Sequence, residues 1–188
     1  MNRRFLCGLL ACLLCAGGTQ ASELADKLVT GNHVLLMRHA YAPGVGDPAG
    51  YSLARCETQR TLDAGGKAQA QRIGQWLQAQ GVRQAQVFTS IWCRCQQTAE
   101  RLNLGKPVVE PSLASFFDTP AKAPAQNRQM QAFIAQALKT KGERALILVT
   151  HHVNILEFMG QNIGSGDMVL ARVNAQGQML DYQRFPSL

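Results

Sequence analysis

The sequence predicts an α/β fold, a three-layer α/β/α arrangement around a largely parallel central sheet. Three observations lead there. Apolar runs of strand length recur at Val34 to Met37, Gln86 to Thr89 and Ala145 to Thr150, and segments of helical period separate them. Each run stops abruptly at polar residues: Arg38-His39, Ser90 and His151-His152. Strands that alternate with helices pair in parallel through right-handed crossovers. In open sheets of that kind, ligands occupy the crevice beyond the carboxyl ends of the strands.

The chain has 188 residues, of which 46% are hydrophobic and 16% charged, as expected for one globular domain rather than a disordered chain. Its first residues do not belong to that globule. Arg3 and Arg4 form a short positive region, Phe5 to Ala16 an apolar segment, and Gly17 to Ala21 ends in small residues, the pattern of a secretory signal peptide over 1–21 cleaved after Ala21. A single mature domain, 22–188, then remains, with a periplasmic or secreted destination. Cleavage leaves Cys56, Cys93 and Cys95. In an oxidising compartment the expected bridge joins Cys56 to one of the other two, because Cys93 and Cys95 lie two apart at the start of a helix and point in different directions. Three thiols without a Cys-x-x-Cys spacing make a poor metal site. Loss of Arg3 and Arg4 takes the formal charge from +7 to +5. That surplus fits an anionic substrate, but no Lys/Arg run or aromatic-interleaved basic stripe points to nucleic acid.

In chain order, Ser22 to Thr30 reads as a short helix capped by Ser22, and Gly31-Asn32 stops it before the first strand. Residues 40–62 form a loop long enough to be functional in a compact domain. Asp63 to Gln80 is helical, with Ala70, Ile73, Gly74 and Leu77 on one face and Gly81 behind as a stop. After the strand Gln86 to Thr89, Ser90 reads as the N-cap of a helix carrying Arg94 in its first turn, where backbone donors favour an anion. Pro107 to Glu110 is a third strand, and Pro111 to Ala125 is irregular. Gln126 to Lys141 is amphipathic, burying Met130, Phe133, Ile134, Ala137 and Leu138. Ala145 to Thr150, the most apolar run of the mature chain, reads as a central strand. Met168 to Val173 and Met179 to Phe185 close the chain as a hairpin around Asn174 to Gly177.

Three strand ends thus deliver Arg38-His39, Arg94 and His151. Two guanidinium groups and two imidazoles in one crevice, without a metal-ligand set, suit a tetrahedral oxyanion such as a phosphoryl group, which an adjacent neutral histidine can attack. The chain resembles the histidine phosphatase superfamily, the group that includes phosphoglycerate mutase-like enzymes. The resemblance rests on Leu36-Met37-Arg38-His39-Ala40, on Thr89 to Glu100 with Ser90, Arg94, Gln97 and Thr98, and on Val149-Thr150-His151-His152, supported by Gln59 to Leu62 and Gly66 to Ala70. It implies a phosphoglycerate mutase-like fold, His39 as a nucleophile that becomes phosphohistidine, and Arg38, Arg94 and His151 as groups that hold the phosphoryl oxygens. It implies no metal and no nucleotide cofactor.

The chain departs from the family in two places. Ala40 stands where the signature has Gly, which an ordinary backbone conformation tolerates. Ala114-Ser115 stands where the mutase-like branch has its acidic Glu, and His152 stands where the other branch has Asp. Asp118 is therefore the first candidate for the proton donor, then His152, then Glu110. Arg60 is a candidate substrate contact, with Arg55 and Lys67 below it, and His33 lies at the far end of its strand. The expectation is a periplasmic phosphatase acting on an envelope, sugar or other small phosphorylated substrate, with no stable membrane insertion after cleavage. The rival expectation is a catalytically weak anion-binding module of the same fold.

Overall fold

The computed structural model describes residues 23–188. The expected signal peptide and the Ser22 cap lie outside the described residues.

The helices are α1 (Glu23–Thr30), α2 (Ala64–Ala79), α3 (Cys93–Leu102), α4 (Ala123–Thr140) and α5 (His152–Met159). The strands are β1 (His33–Arg38), β2 (Ala85–Thr89), β3 (Val108–Val109), β4 (Ala145–Thr150), β5 (Met168–Val173) and β6 (Met179–Phe185), in one sheet of order β3-β2-β4-β1-β5-β6. From β3 to β1 neighbouring strands run parallel, whereas β5 and β6 add on antiparallel at one edge. Short 3₁₀ turns lie at Cys56–Thr58, Pro111–Leu113 and Pro120–Lys122.

All six residues of β4 are buried, as a strand covered on both faces requires. Alternate side chains then feed two separate cores. Leu35, Met37, Ile147 and Val149 pack with Leu28 of α1, Ile73 and Leu77 of α2, and Ala99 and Leu102 of α3. Val34, Leu36, Leu146 and Leu148 pack with Met130 and Ile134 of α4 and Ile155 and Phe158 of α5. The three layers expected from the sequence are therefore present.

Several boundaries differ from expectation for local reasons. Asp63 precedes α2 as its N-cap, its Oδ1 accepting from the Gly66 N–H at 2.7 Å. Ser90 does not cap α3, which begins at Cys93 after an extended Trp92. The Ser90 N–H donates instead to the Val149 carbonyl across the sheet at 3.0 Å. The third strand shrinks to two residues, and α4 starts three residues early, with proline in its first turn, where no N–H is needed. Gly177 turns the final hairpin at φ +76°, and a Cβ there would stand 2.0 Å from the Gln131 carbonyl oxygen, so α4 packs directly on the turn. Behind α4, the buried Lys141 ammonium donates to the Leu28 and Val29 carbonyls at 2.8 and 2.7 Å, satisfying the open C-terminal end of α1.

Candidate active site

The sheet register decides what meets at its carboxyl edge. Arg38 of β1 is level with Thr150 of β4, and Thr89 of β2 with Val149. Past those pairs the His39 N–H still donates to the Thr150 carbonyl at 3.0 Å, while the Gly166 N–H reaches the Arg38 and His39 carbonyls. The ends of β1, β4 and β2 are thus stitched together beyond the regular strands. The cleft they form has a cavity of about 80 Å³, small beside drug-sized pockets and suited to a tetrahedral oxyanion. It is lined by Arg38, His39, Arg94 and His151, and also by Arg60, Asp118 and His152. Glu110, Arg55, Lys67 and His33 do not line it.

His39 is 1% exposed, and its Nδ1 lies 2.8 Å from the Ala40 carbonyl oxygen. A carbonyl can only accept, so the Nδ1 proton is fixed there and Nε2 keeps its lone pair. Burial holds His39 well below the usual histidine range, and the Arg94 and Arg38 charges add to this. His151 is also buried, its Nε2 2.8 Å from Ser90 Oγ and its ring 5.5 Å from that of His39. Its pKa is likewise pushed well down, by burial first and then by His39 and Arg94. Burial, with help from Arg38 and Arg60, lowers His152 as well.

Three imidazoles kept neutral by folding give a pH dependence of definite sign. The unfolded chain takes up protons near pH 6.5 and the folded chain does not, so stability falls as pH drops through and below that value. Chemical denaturation should show up to about 1.4 kcal/mol lost per pH unit for each such histidine. His39→Asn, which does not titrate in this range, should flatten the slope.

Arg94 enters from the first turn of α3, and its Nη1 donates to Asp47 Oδ1 at 2.9 Å and Oδ2 at 3.0 Å. Both side chains are about 5% exposed. Arg38 Nη1 donates to the Ile163 carbonyl at 2.8 Å. The Nε donors of Arg38 and Arg94 are buried without a partner. Such orphan donors are costly unless a ligand satisfies them, and a tetrahedral oxyanion supplies the acceptors they lack. Arg60 is committed to the loop: Nε donates to the Gly46 carbonyl and Nη1 to the Ala42 carbonyl at 2.8 and 2.6 Å.

The loop 40–62 is braced by residues of α3. A disulfide joins Cys56 to Cys93, resolving the two expected alternatives. The Cys93 N–H donates to Gln59 Oε1, the Leu62 N–H to Gln97 Oε1, and the Ala40 N–H to Thr98 Oγ1. Ala40 is buried and its φ is not positive, so no glycine is required. Cys95 is the free cysteine among the described residues, 3.4 Å from His151 Nε2, and burial pushes its thiol up to about 12, which leaves it unreactive.

The three acid candidates now separate. Glu110 is corrected: its Oε1 accepts from the Ser112 N–H and caps the 3₁₀ turn at Pro111–Leu113, outside the cleft. His152 opens α5 beside Phe117, ring centroids 5.8 Å apart. Asp118 is exposed at the mouth, its Oδ2 accepting from the Tyr51 hydroxyl at 3.3 Å. Sequence reasoning missed Asp47, Trp92 and the role of Ser90 toward His151. An aspartate between Gly46 and Pro48 looks like turn chemistry, and only its position inside an unusually long loop hinted at more. No group of histidine, cysteine, aspartate and glutamate able to hold a metal exists among the described residues, nor does any helix there long and apolar enough to cross a membrane.

Residues 34–114 match the family model of the histidine phosphatase superfamily, branch 1. The fold matches that of the protein histidine phosphatase SixA in complex with tungstate, at 18% identity and a TM-score of 0.59, over 82% of this chain and 96% of that one. It also matches a mycobacterial glucosyl-3-phosphoglycerate phosphatase with inorganic phosphate, at 14% identity and a TM-score of 0.58, over 81% and 95%. A third match is a phosphoserine phosphatase from Entamoeba histolytica in complex with 3-phosphoglyceric acid, at 12% identity and a TM-score of 0.57, over 83% and 97%. Among curated proteins none matches.

Proposed function

Because residues 34–114 match the family model of the histidine phosphatase superfamily, branch 1, we propose that the protein is a phosphatase that hydrolyses phosphomonoesters through a phosphohistidine on His39. One observation carries this reading. A buried histidine with its Nδ1 proton committed and its Nε2 free shares a small cleft with two arginines whose Nε donors lack partners. Nε2 attacks phosphorus, the bond from phosphorus to the ester oxygen breaks, and the leaving oxygen takes a proton. Water then attacks the phosphohistidine, giving up a proton to the group that protonated the leaving oxygen, the P–N bond breaks, inorganic phosphate is released and His39 is regenerated. Arg38, Arg94 and His151 hold the phosphoryl oxygens in both steps. The proteins it resembles in fold include phosphatases of small phosphorylated molecules, which supports a substrate of that class, a sugar phosphate or a phosphorylated envelope component. The Cys56–Cys93 disulfide supports an oxidising destination, and with the signal-like N-terminus a periplasmic or secreted one.

The proton donor is Asp118. Asp47 has both oxygens occupied as acceptors, and His152 is held neutral. General acid catalysis contributes roughly 10²–10⁴-fold when the leaving group needs a proton. Asp118→Asn should therefore slow an alkyl phosphate by about 10²-fold or more and leave 4-nitrophenyl phosphate, whose leaving group departs unaided, within a fewfold of wild type. An equal loss on both esters would remove Asp118 from this role, and the same pattern in His152→Gln would transfer it there. Phosphate release from 4-nitrophenyl phosphate by the wild type tests the function itself. Tight binding of inorganic phosphate without any turnover would favour the anion-binding module instead.

A further inference from the structure

The Arg94 guanidinium has two usable edges, and the structure spends one of them on a carboxylate from the loop. Asp47 takes Nη1 with both oxygens, and the same carboxylate accepts from three donors in all. Its Oδ1 also accepts from the Arg60 N–H at 2.9 Å, and its Oδ2 from the Trp92 indole Nε1 at 3.2 Å. Trp92 is itself buried at the start of α3, with the Arg94 guanidinium carbon 5.9 Å from its ring centre. Arg60, whose amide holds Asp47, is tied by its side chain to the Ala42 and Gly46 carbonyls of the same loop. Nothing in this set is free to rotate independently. The far nitrogen, Nε, is the one left buried with no partner.

We propose that Asp47 is a positioning residue for phosphoryl transfer: by fixing Nη1 it presents the Nε edge of Arg94 to the phosphoryl oxygens. The inference rests on the reading of the cleft as a phosphoryl site and deepens it. A guanidinium recognises an oxyanion through one planar edge, so a rotation about its last bond exchanges which donors face the ligand. Asp47 removes that freedom before substrate arrives, and the cleft is organised in advance of binding.

The test is a double-mutant cycle on Asp47 and Arg94, read with inorganic phosphate as the binding probe and 4-nitrophenyl phosphate as the substrate. Asp47→Ala should weaken phosphate binding about tenfold, the scale of one lost charge-assisted hydrogen bond. It should lower kcat/KM by about 10²-fold, the scale of a misplaced catalytic group. In an Arg94→Ala background the same substitution should change neither quantity. Thermal unfolding of the same samples gives the folded fraction, and a loss of affinity larger than that fraction explains reports on the cleft rather than on the fold. Asp47→Asn, isosteric and uncharged, should show the same pattern with smaller losses and serves if the alanine variant is too unstable to purify. Unchanged affinity and turnover in both Asp47 variants, or equal losses with and without Arg94, would overturn the proposal. If the wild type binds phosphate without turnover, the phosphatase reading fails while the affinity arm still decides the role of Asp47. If the wild type neither binds nor turns over, both fall.

Discussion

His39→Ala is expected to reduce phosphate release from 4-nitrophenyl phosphate by at least about 10⁴-fold, since removal of a nucleophile from an intact site leaves only what binding and electrostatics supply. The argument is geometric. The Nδ1 of His39 is held by the carbonyl of Ala40, the following residue, so the tautomer is fixed by the backbone. Burial keeps the ring unprotonated at neutral pH, which makes Nε2 a competent nucleophile without a helper base. A second measurement separates covalent catalysis from simple binding. Wild-type protein quenched during turnover should carry radiolabelled phosphate that is lost in acid and kept in base, as a phosphoramidate is, and His39→Ala should carry none. Activity within tenfold of wild type in the alanine variant, with normal thermal unfolding, would assign the chemistry to another group.

Breaking the Cys56–Cys93 bridge should have the largest effect on stability. The bond closes a loop of 37 residues, and the chain-entropy estimate for that length is about 4 kcal/mol. For a domain of this size each kcal/mol moves the unfolding midpoint by roughly 2–4 °C, so Cys56→Ser with Cys93→Ser, or a reducing agent, should lower Tm by roughly 8–16 °C. Activity should fall before the fold does. The bridge ends next to Arg94, and the loop it anchors carries Asp47 and Arg60. A calorimetric scan with and without reductant checks the first effect, and turnover at 25 °C checks the second. An unchanged midpoint would mean that the Gln59 and Gln97 contacts alone hold the loop.

What could be read in advance followed from periodicity and from abrupt changes of polarity. The buried runs at β1 and β4, the amphipathic helices, and the strand ends at His39 and His151 all announce themselves within a few residues. Two kinds of information were hidden. Ser90 has every local mark of an N-cap, yet its hydroxyl faces His151 from another strand, a partner set by register rather than by neighbours. Asp47 lies 47 positions from Arg94, and no spacing rule links them. The loop between β1 and α2 could be recognised as functional by its length, but which of its residues enters the cleft depends on the bridge at Cys93 and on the amide and hydroxyl braces from α3. The same holds for the acid. Glu110 ranks last of the three candidates but is not dismissed by the sequence, and it is the 3₁₀ turn that it caps that removes it from the chemistry.

The buried ammonium of Lys141 sets a limit on how far the chain can be shortened from its front. Its charge is matched chiefly by the last carbonyls of α1, at Leu28 and Val29, from which it is separated by more than a hundred residues of sequence. A protein trimmed to begin at Asn32 would lose no cleft residue and still carry every strand, yet it would keep a cation in the interior with nothing but Gly142 beside it. Proteolytic trimming that enters this helix is therefore felt at the base of α4 and β4, the strand that delivers His151. The last turn of α1 thus supplies the acceptors for a cation far away in the sequence, and α1 is part of the folded unit rather than a dispensable leader to β1.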